Sequence, residues 1–190
     1  MKHFLDIGGN NGQTFDYLDT LDKSFKDHIF WVFEPSPRHF DSLLKKCKER
    51  SNEYNIKVCP FGIGGKSEVR LFMEKDDLMG DSFQDELASD HAVFNVNNGY
   101  AVYSYIMSIT DFILKNTQPE DSIVLDIDCE GSEYEILVDL INSREALSRV
   151  EEAWVEWHHI KKDRMVISPS EFTEICLKND IIVTHRGDAV

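Results

Sequence analysis

The sequence has no apolar run long enough to cross a membrane and no apolar signal region behind its opening Met-Lys-His-Phe-Leu-Asp. Both absences point to a water-soluble chain, with the reduced cytoplasm as its default compartment. The four cysteines, Cys47, Cys59, Cys129 and Cys176, form no Cys-x-x-Cys pair and meet no histidine at metal-finger spacing. That argues against a disulfide framework and a zinc finger. Cations are scarce: 20 Lys and Arg against 35 Asp and Glu leave a net charge of −15. A surface so acidic repels phosphate backbones and anionic headgroups, which speaks against nucleic-acid and membrane partners. The basic cluster Lys45, Lys46, Lys48 and Arg50 reads as the solvated face and last turn of a helix, where cations suit the dipole.

What is present is an alternation of short β-rich apolar runs with segments of helical period, the pattern of an α/β sheet built mostly from parallel strands. Strands are expected at Phe4 to Ile7, Ile29 to Phe33, Ile56 to Cys59, Tyr100 to Ile109, Ser122 to Ile127, Ala153 to Trp157 and Ile181 to Thr184. Helices are expected at Thr14 to Leu21, Pro37 to Arg50, Asp111 to Asn116, Ser132 to Asn142 and Ser170 to Lys178. With 190 residues, one domain spanning 1–190 accommodates all of them. The stretch Glu74 to Gly99 breaks the rhythm, being polar and rich in Asp, Asn, Ser and Gly. It reads either as a lid over a substrate or as an ordinary surface insertion.

Two segments carry ligand chemistry. Phe4-Leu5-Asp6-Ile7-Gly8-Gly9-Asn10-Asn11-Gly12 is an apolar strand running into a glycine-rich turn and then a helix. Such a turn lets backbone approach a ligand closely, at the carboxyl end of the first strand. The dinucleotide fingerprint fails here, because Asn10 and Gln13 stand where glycines are required. Roughly twenty residues on, the strand Val32-Phe33 ends in Glu34-Pro35, and an acidic side chain so placed accepts hydrogen bonds from the ribose hydroxyls of an adenosine-containing cofactor.

Together with Asp128-Cys129-Glu130-Gly131-Ser132-Glu133, the Asp6 to Gly12 turn and Glu34-Pro35 resemble the FkbM family of methyltransferases. The family's third motif reads approximately Lys-Ile-Asp-Val-Glu-Gly-Ala-Glu, and this chain departs from it at Asp126, where the family usually has lysine. The resemblance covers roughly Phe4 to His159. It implies a Rossmann-like class I methyltransferase fold: a mostly parallel, doubly wound sheet with helices on both faces, here short of one edge strand. It also implies S-adenosylmethionine as cofactor and a hydroxyl of a sugar, glycan or natural product as acceptor. On that analogy Asp6, Gly8, Gly9, Asn10 and Gly12 surround the methionine portion and Glu34, with Pro35, holds the ribose. Pro60-Phe61-Gly62-Ile63-Gly64 then lies near the adenine, with Phe61 or Ile63 packing on it, and Asp126 joins the cofactor-binding set. The chain is read either as a compact form of the fold or as one domain of a longer polypeptide with neighbouring glycosyltransferase domains, or as a homodimer.

Methyl transfer to an alcohol requires alignment and a base. Asp126, Asp128, Glu130 and Glu133 at the carboxyl end of the strand Ser122 to Ile127, and His158-His159 at the end of the next, are expected to converge on the crevice edge of a doubly wound sheet. The base stays open among Asp128, Glu130, His158 and His159. A histidine titrates near 6.5 unaided, whereas a carboxylate needs burial to reach the working range. Asp126, Asp128, Glu130 and Glu156 also form a candidate oxygen-ligand set for Mg²⁺ or Ca²⁺. Competing readings are an NAD- or nucleotide-sugar-dependent oxidoreductase, which leaves Asp128 to Glu133 unexplained, and a non-catalytic binding module.

Overall fold

A computed structural model describes residues 1–75, 99–158 and 165–186, with side chains described outside 73–75 and 99–101. His159 and residues 76–98 of the polar stretch lie outside the described residues. No helix among those described is long and apolar enough to cross a membrane.

The large sheet has six strands in the order β3-β2-β1-β7-β8-β9: β1 (Lys2–Ile7), β2 (Ile29–Phe33), β3 (Asn55–Cys59), β7 (Ser122–Ile127), β8 (Val150–Glu156) and β9 (Ile182–Arg186). Every pairing in it is parallel. β1 and β7 lie at its centre and read as near-continuous apolar runs, KHFLDI and SIVLDI, because parallel strands are covered on both faces. The outermost strand β3, NIKVC, alternates exposed and covered residues instead. The chain builds outward from β1 through β3 and then returns to the opposite side of β1 as β7. Between β1 and β7 the order reverses, and a crevice opens there beyond the strand ends.

Strand alternation sorts the core into two layers. Leu5, Ile7, Leu125 and Ile127 face α3 (Ile109–Asn116), α4 (Glu133–Asn142) and α6 (Pro169–Leu177), where Phe112, Leu137 and Phe172 are buried with them. Phe4 and Val124 face the other layer, under α1 (Gln13–Leu18) and α2 (Pro37–Arg50), with Phe15, Phe30, Leu43 and Trp154. Phe4 stacks on Phe30 at 4.7 Å and meets Trp154 edge-on at 5.4 Å. Truncating a fully buried phenylalanine in such a layer costs about 3–5 kcal/mol.

A second sheet, order β4-β6-β5, consists of β4 (Gly62–Gly64), β5 (Glu68–Lys75) and β6 (Gly99–Ser108). β5 and β6 form an antiparallel pair whose register runs from Glu68 opposite Ile106 to Lys75 opposite Gly99. Side-chain contacts hold this sheet over the first, among them one in which the Ser108 hydroxyl donates to Asp139 of α4 at 2.6 Å. Arg70 forks onto Glu135 of α4, at 2.6 and 3.2 Å, and the Ser104 hydroxyl donates to the Pro35 carbonyl at 3.4 Å.

Several boundaries move from those expected. β5, β4 and the short helix α5 (Arg144–Leu147) were not anticipated, and Glu74, Lys75 and Gly99 belong to strands rather than to the polar stretch. β7 ends at Ile127, so Asp128 is a loop residue and does not continue the alternation of Asp126. α6 starts at Pro169, because Ser168 and Glu171 close a reciprocal capping box ahead of it. β9 runs parallel to β8, so among the described residues the large sheet has no antiparallel edge strand.

Candidate functional site

The crevice encloses about 280 Å³, near the lower end of small-molecule sites at roughly 300–1,000 Å³. One wall is the glycine turn. The Gly8 and Gly9 amides both donate to the Phe33 carbonyl, at 3.2 and 2.9 Å, which pins the turn to the end of β2. Gly8 has a φ of 95°, and a Cβ there would lie 1.8 Å from the Asp128 carbonyl oxygen. Only glycine permits both the dihedral and the approach. Asn10 follows in the left-handed region at φ 43°, which asparagine tolerates better than most side chains.

Glu34, buried at the end of β2, accepts the Asn10 amide on Oε2 and the Ser36 amide on Oε1, each at 2.7 Å. The carboxylate therefore shapes the glycine turn and the entry to α2 together.

The opposite wall comes from the ends of β7 and β8. The Asp128 amide donates to the Ile7 carbonyl at 3.0 Å, extending the β1–β7 pairing by one bond. Burial, and then the charge of Glu156, push the Asp128 carboxyl up to about 7. Glu130 sits at φ 52°, unusual for a side chain of its kind and typical of strain kept at functional loops. Glu133, the first residue of α4, is fully buried. Its Oε1 accepts the Cys129 and Gly131 amides at 3.0 and 3.2 Å, and it also meets His158 Nδ1 at 2.8 Å. His158 Nε2 then faces Glu130 at 3.6 Å and Asp128 at 3.9 Å. Burial pulls this imidazole down, but the Glu133 hydrogen bond and charge, followed by Glu130 and Asp128, outweigh it and bring it up to about 9. Asp128, Glu156 and His158 present donor atoms within 4.8 Å of one another.

Behind these walls lies a buried acidic pair. Asp6 and Asp126 are opposite one another in the β1–β7 register, 3% and 1% exposed. Thr14 donates to Asp6 Oδ1 at 3.0 Å, and Arg186 Nη1 donates to Asp126 Oδ1. Burial and then the Asp126 charge raise Asp6 well above the usual carboxylate range. Asp126 is raised as well, by burial that Arg186 only partly offsets.

Gly8, Gly9, Asn10, Glu34, Pro35, Gly62, Asp128, Glu130, Glu156 and His158 thus line one crevice, as their spacing along the chain suggested. Five expected residues among those described do not, Glu133 being fully buried at the start of α4. Asp6 and Asp126 are sealed behind the wall, with Asp126 bound to Arg186 and outside the Asp128–Glu156–His158 donor set. Gly12 packs against Lys46, where an added Cβ would lie 2.8 Å from Cγ. Phe61 is held between Phe33 at 5.7 Å and Tyr105 at 6.0 Å, while Ile63 reaches the crevice instead. Sequence reasoning missed Gln13, Thr14, His39, Phe72, Ser132 and Arg186, which also line it. Thr14 is the second residue of α1, directly after the glycine turn, and its hydroxyl reaches Asp6 at the end of β1. The others come together only through the fold.

Residues 6–179 match the family model described as the methyltransferase FkbM domain. Among solved structures, the methyltransferase FkbM from Methylobacillus flagellatus KT resembles this chain at 14% identity and a TM-score of 0.47, over 78% of this chain and 31% of that one. This chain therefore spans about a third of the length of that relative. Among curated proteins, none matches.

Proposed function

The chain belongs to the FkbM methyltransferase family, and from that premise we propose that it transfers a methyl group from S-adenosylmethionine to a hydroxyl of a small molecule, sugar or glycan. The observation that carries the reading is Asp128: a carboxyl set at about 7, in a crevice, against the glycine turn and 3.9 Å from His158 Nε2. A base poised near the working pH is what an alcohol acceptor requires.

The walls fit the cofactor. Gly8 and Gly9 give close backbone approach, Glu34 stands at the strand end where a ribose would lie, and the acidic lining of Glu34, Asp128, Glu130 and Glu156 suits a cation. S-adenosylmethionine supplies a methyl group already activated on a positively charged sulfur. The protein's part is then to align the acceptor oxygen and remove its proton. With the donor bound, Asp128 would accept that proton. The His158 cation stabilises the ionised Asp128 before the transfer, and Glu133 holds the imidazole through Nδ1 so that Nε2 points at the two acids. The surface charge of −15 keeps the acceptor among small molecules and glycans rather than nucleic acids. A homodimer, or neighbouring domains in a longer polypeptide, supplies any further acceptor contacts.

Titration calorimetry with S-adenosylhomocysteine and with NAD tests the first half. Binding of the former alone supports the proposal, and binding of NAD alone overturns it. A panel of sugar and natural-product hydroxyls, assayed by transfer of labelled methyl, tests the second half.

A second reading concerns a divalent cation. Asp128, Glu156 and His158 offer two hard oxygens and an imidazole within 4.8 Å, a set that suits Mg²⁺ or Ca²⁺ only through its oxygens. Methyl transfer that is abolished by chelation and restored by Mg²⁺ supports the ion. Transfer indifferent to chelator removes it.

A further inference from the structure

Arg186 is the only lysine or arginine lining the crevice among the described residues. It stands at the end of β9, where its Cα pairs with that of Glu156, and its side chain reaches over β8 to Asp126 on β7. Asp126 holds one guanidinium nitrogen, Nη1, and the Tyr17 ring lies 4.5 Å from the guanidinium carbon. Among the described residues, Nε and Nη2 have no recorded acceptor. Asp126 thus fixes the group at Nη1 while the residue lines the crevice, and the donor fork of a guanidinium suits a planar carboxylate.

The charges around it narrow the ligand. Glu34, Asp128, Glu130 and Glu156 make the lining acidic, so an anionic molecule would be repelled almost everywhere in it. His158 offers the other positive centre, but its Nε2 is already faced by Glu130 and Asp128 at 3.6 and 3.9 Å. A ligand that is cationic in its middle and carries one carboxylate at its end matches this distribution. S-adenosylmethionine has that form, with Glu34 on the β2 side for its ribose and Arg186 at the far side of the crevice.

We infer that Arg186 binds the α-carboxylate of the cofactor's methionine end, and that Asp126 is a positioning residue holding the guanidinium in place. The inference rests on the methyltransferase reading above. Thr14 supports the geometry, since its hydroxyl bonds Asp6 in the same buried layer as Asp126 and the residue itself lines the crevice.

The test compares two ligands by titration calorimetry. S-adenosylhomocysteine retains the carboxylate, whereas 5′-methylthioadenosine has the same adenosine and thioether without the amino-acid end. Arg186→Met is expected to weaken S-adenosylhomocysteine about 10-fold or more, as loss of a hydrogen bond to a charged group does, and to leave 5′-methylthioadenosine unchanged. Arg186→Lys is expected to recover part of the loss. Equal weakening of both ligands, or no change in either, overturns the inference while leaving the methyltransferase reading intact. Wild-type protein that binds neither ligand overturns both. If Arg186→Met unfolds because Asp126 is stranded, the double variant D126N/R186M removes the buried charge, and the same ratio of affinities decides.

Discussion

On the β2 side of the crevice, both Glu34 oxygens accept backbone amides at 2.7 Å, whereas at the ends of β1 and β7 and the start of α4 the buried Asp6 Oδ2, Asp126 Oδ2 and Glu133 Oε2 meet no hydrogen-bond partner among the described residues. The two sides are built from the same kind of side chain at the same kind of strand end. They differ in where the backbone donors point. The glycine turn and the entry of α2 aim their amides at Glu34, so its charge is met by fixed dipoles. The end of β7 has spent its amides on the Ile7 carbonyl and on Glu133 Oε1, so Asp6 and Asp126 rely on one side-chain donor each, Thr14 and Arg186. Fixed dipoles make a rigid ligand shelf. Burial instead raises Asp6 and Asp126 and lifts Asp128 to about 7.

That contrast breaks most sharply at Asp128. Asp128→Asn is expected to lower the rate of methyl transfer by about 10²–10⁴-fold, the usual worth of a general base, while S-adenosylhomocysteine still binds. Initial rates and calorimetry on the same preparation check it, and full activity in the variant dismisses Asp128 as the base. Gly8→Ala attacks the joint between the two sides. The strained dihedral alone costs about 1–3 kcal/mol, and the clash with the Asp128 carbonyl adds to it, so a fall in the urea midpoint is expected together with weaker cofactor binding. Wild-type stability in that variant means the turn can move away from β7.

Glu34→Gln sharpens the comparison from the other side. It keeps the shape and removes the charge that two amides meet, which is worth about 1.5–3 kcal/mol in hydrogen bonding. Reduced affinity for 5′-methylthioadenosine, which still has the ribose, is the expected outcome; unchanged affinity takes Glu34 out of the ribose role.

The smallest effects are those of pH. As a free-enzyme quantity, kcat/KM is expected to rise with pH until Asp128 ionises at about 7 and to fall as His158 loses its proton at about 9. Stability follows the same groups with definite signs. The folded His158 imidazole is raised to about 9 from an ordinary 6.5, so its contribution is complete below 6.5 and is lost as pH climbs through about 9. Asp128 is raised to about 7 from 3.8 by burial, so folding loses stability as pH rises between those values. Thermal midpoints from pH 4 to 10, with His158→Gln and Asp128→Asn as controls, separate the two.

The large sheet was legible because its strands are apolar runs between turn signals: β2, β7 and α2 have the bounds their sequences suggest. The hairpin was half legible. Glu68-Val69-Arg70-Leu71-Phe72 mixes charge and apolar residues without a clean period, and Arg70 is charged because it must reach Glu135 across the sheet interface. In the site, the glycine turn, Glu34, Asp128 and His158 announced themselves by type and position. Histidine looked the better base on ordinary titration alone, and the ordering reverses because burial lifts Asp128 while Glu133 lifts His158 further. Arg186 gave no local signal. Its meeting with Asp126 depends on β9 lying beside β8 and β8 beside β7, an order that no short stretch of sequence encodes.

The register of β5 against β6 stays paired up to Lys75 opposite Gly99. The chain therefore leaves the hairpin and rejoins it at facing positions, next to strands that carry Phe72 into the crevice. A segment spliced between such anchors adds only a slowly growing closure entropy, about 0.6 kcal/mol for each doubling of length. The fold thus has a socket: the β5–β6 pairing holds both ends of the stretch between residues 75 and 99 at facing positions, so its length can change at little cost to the paired strands.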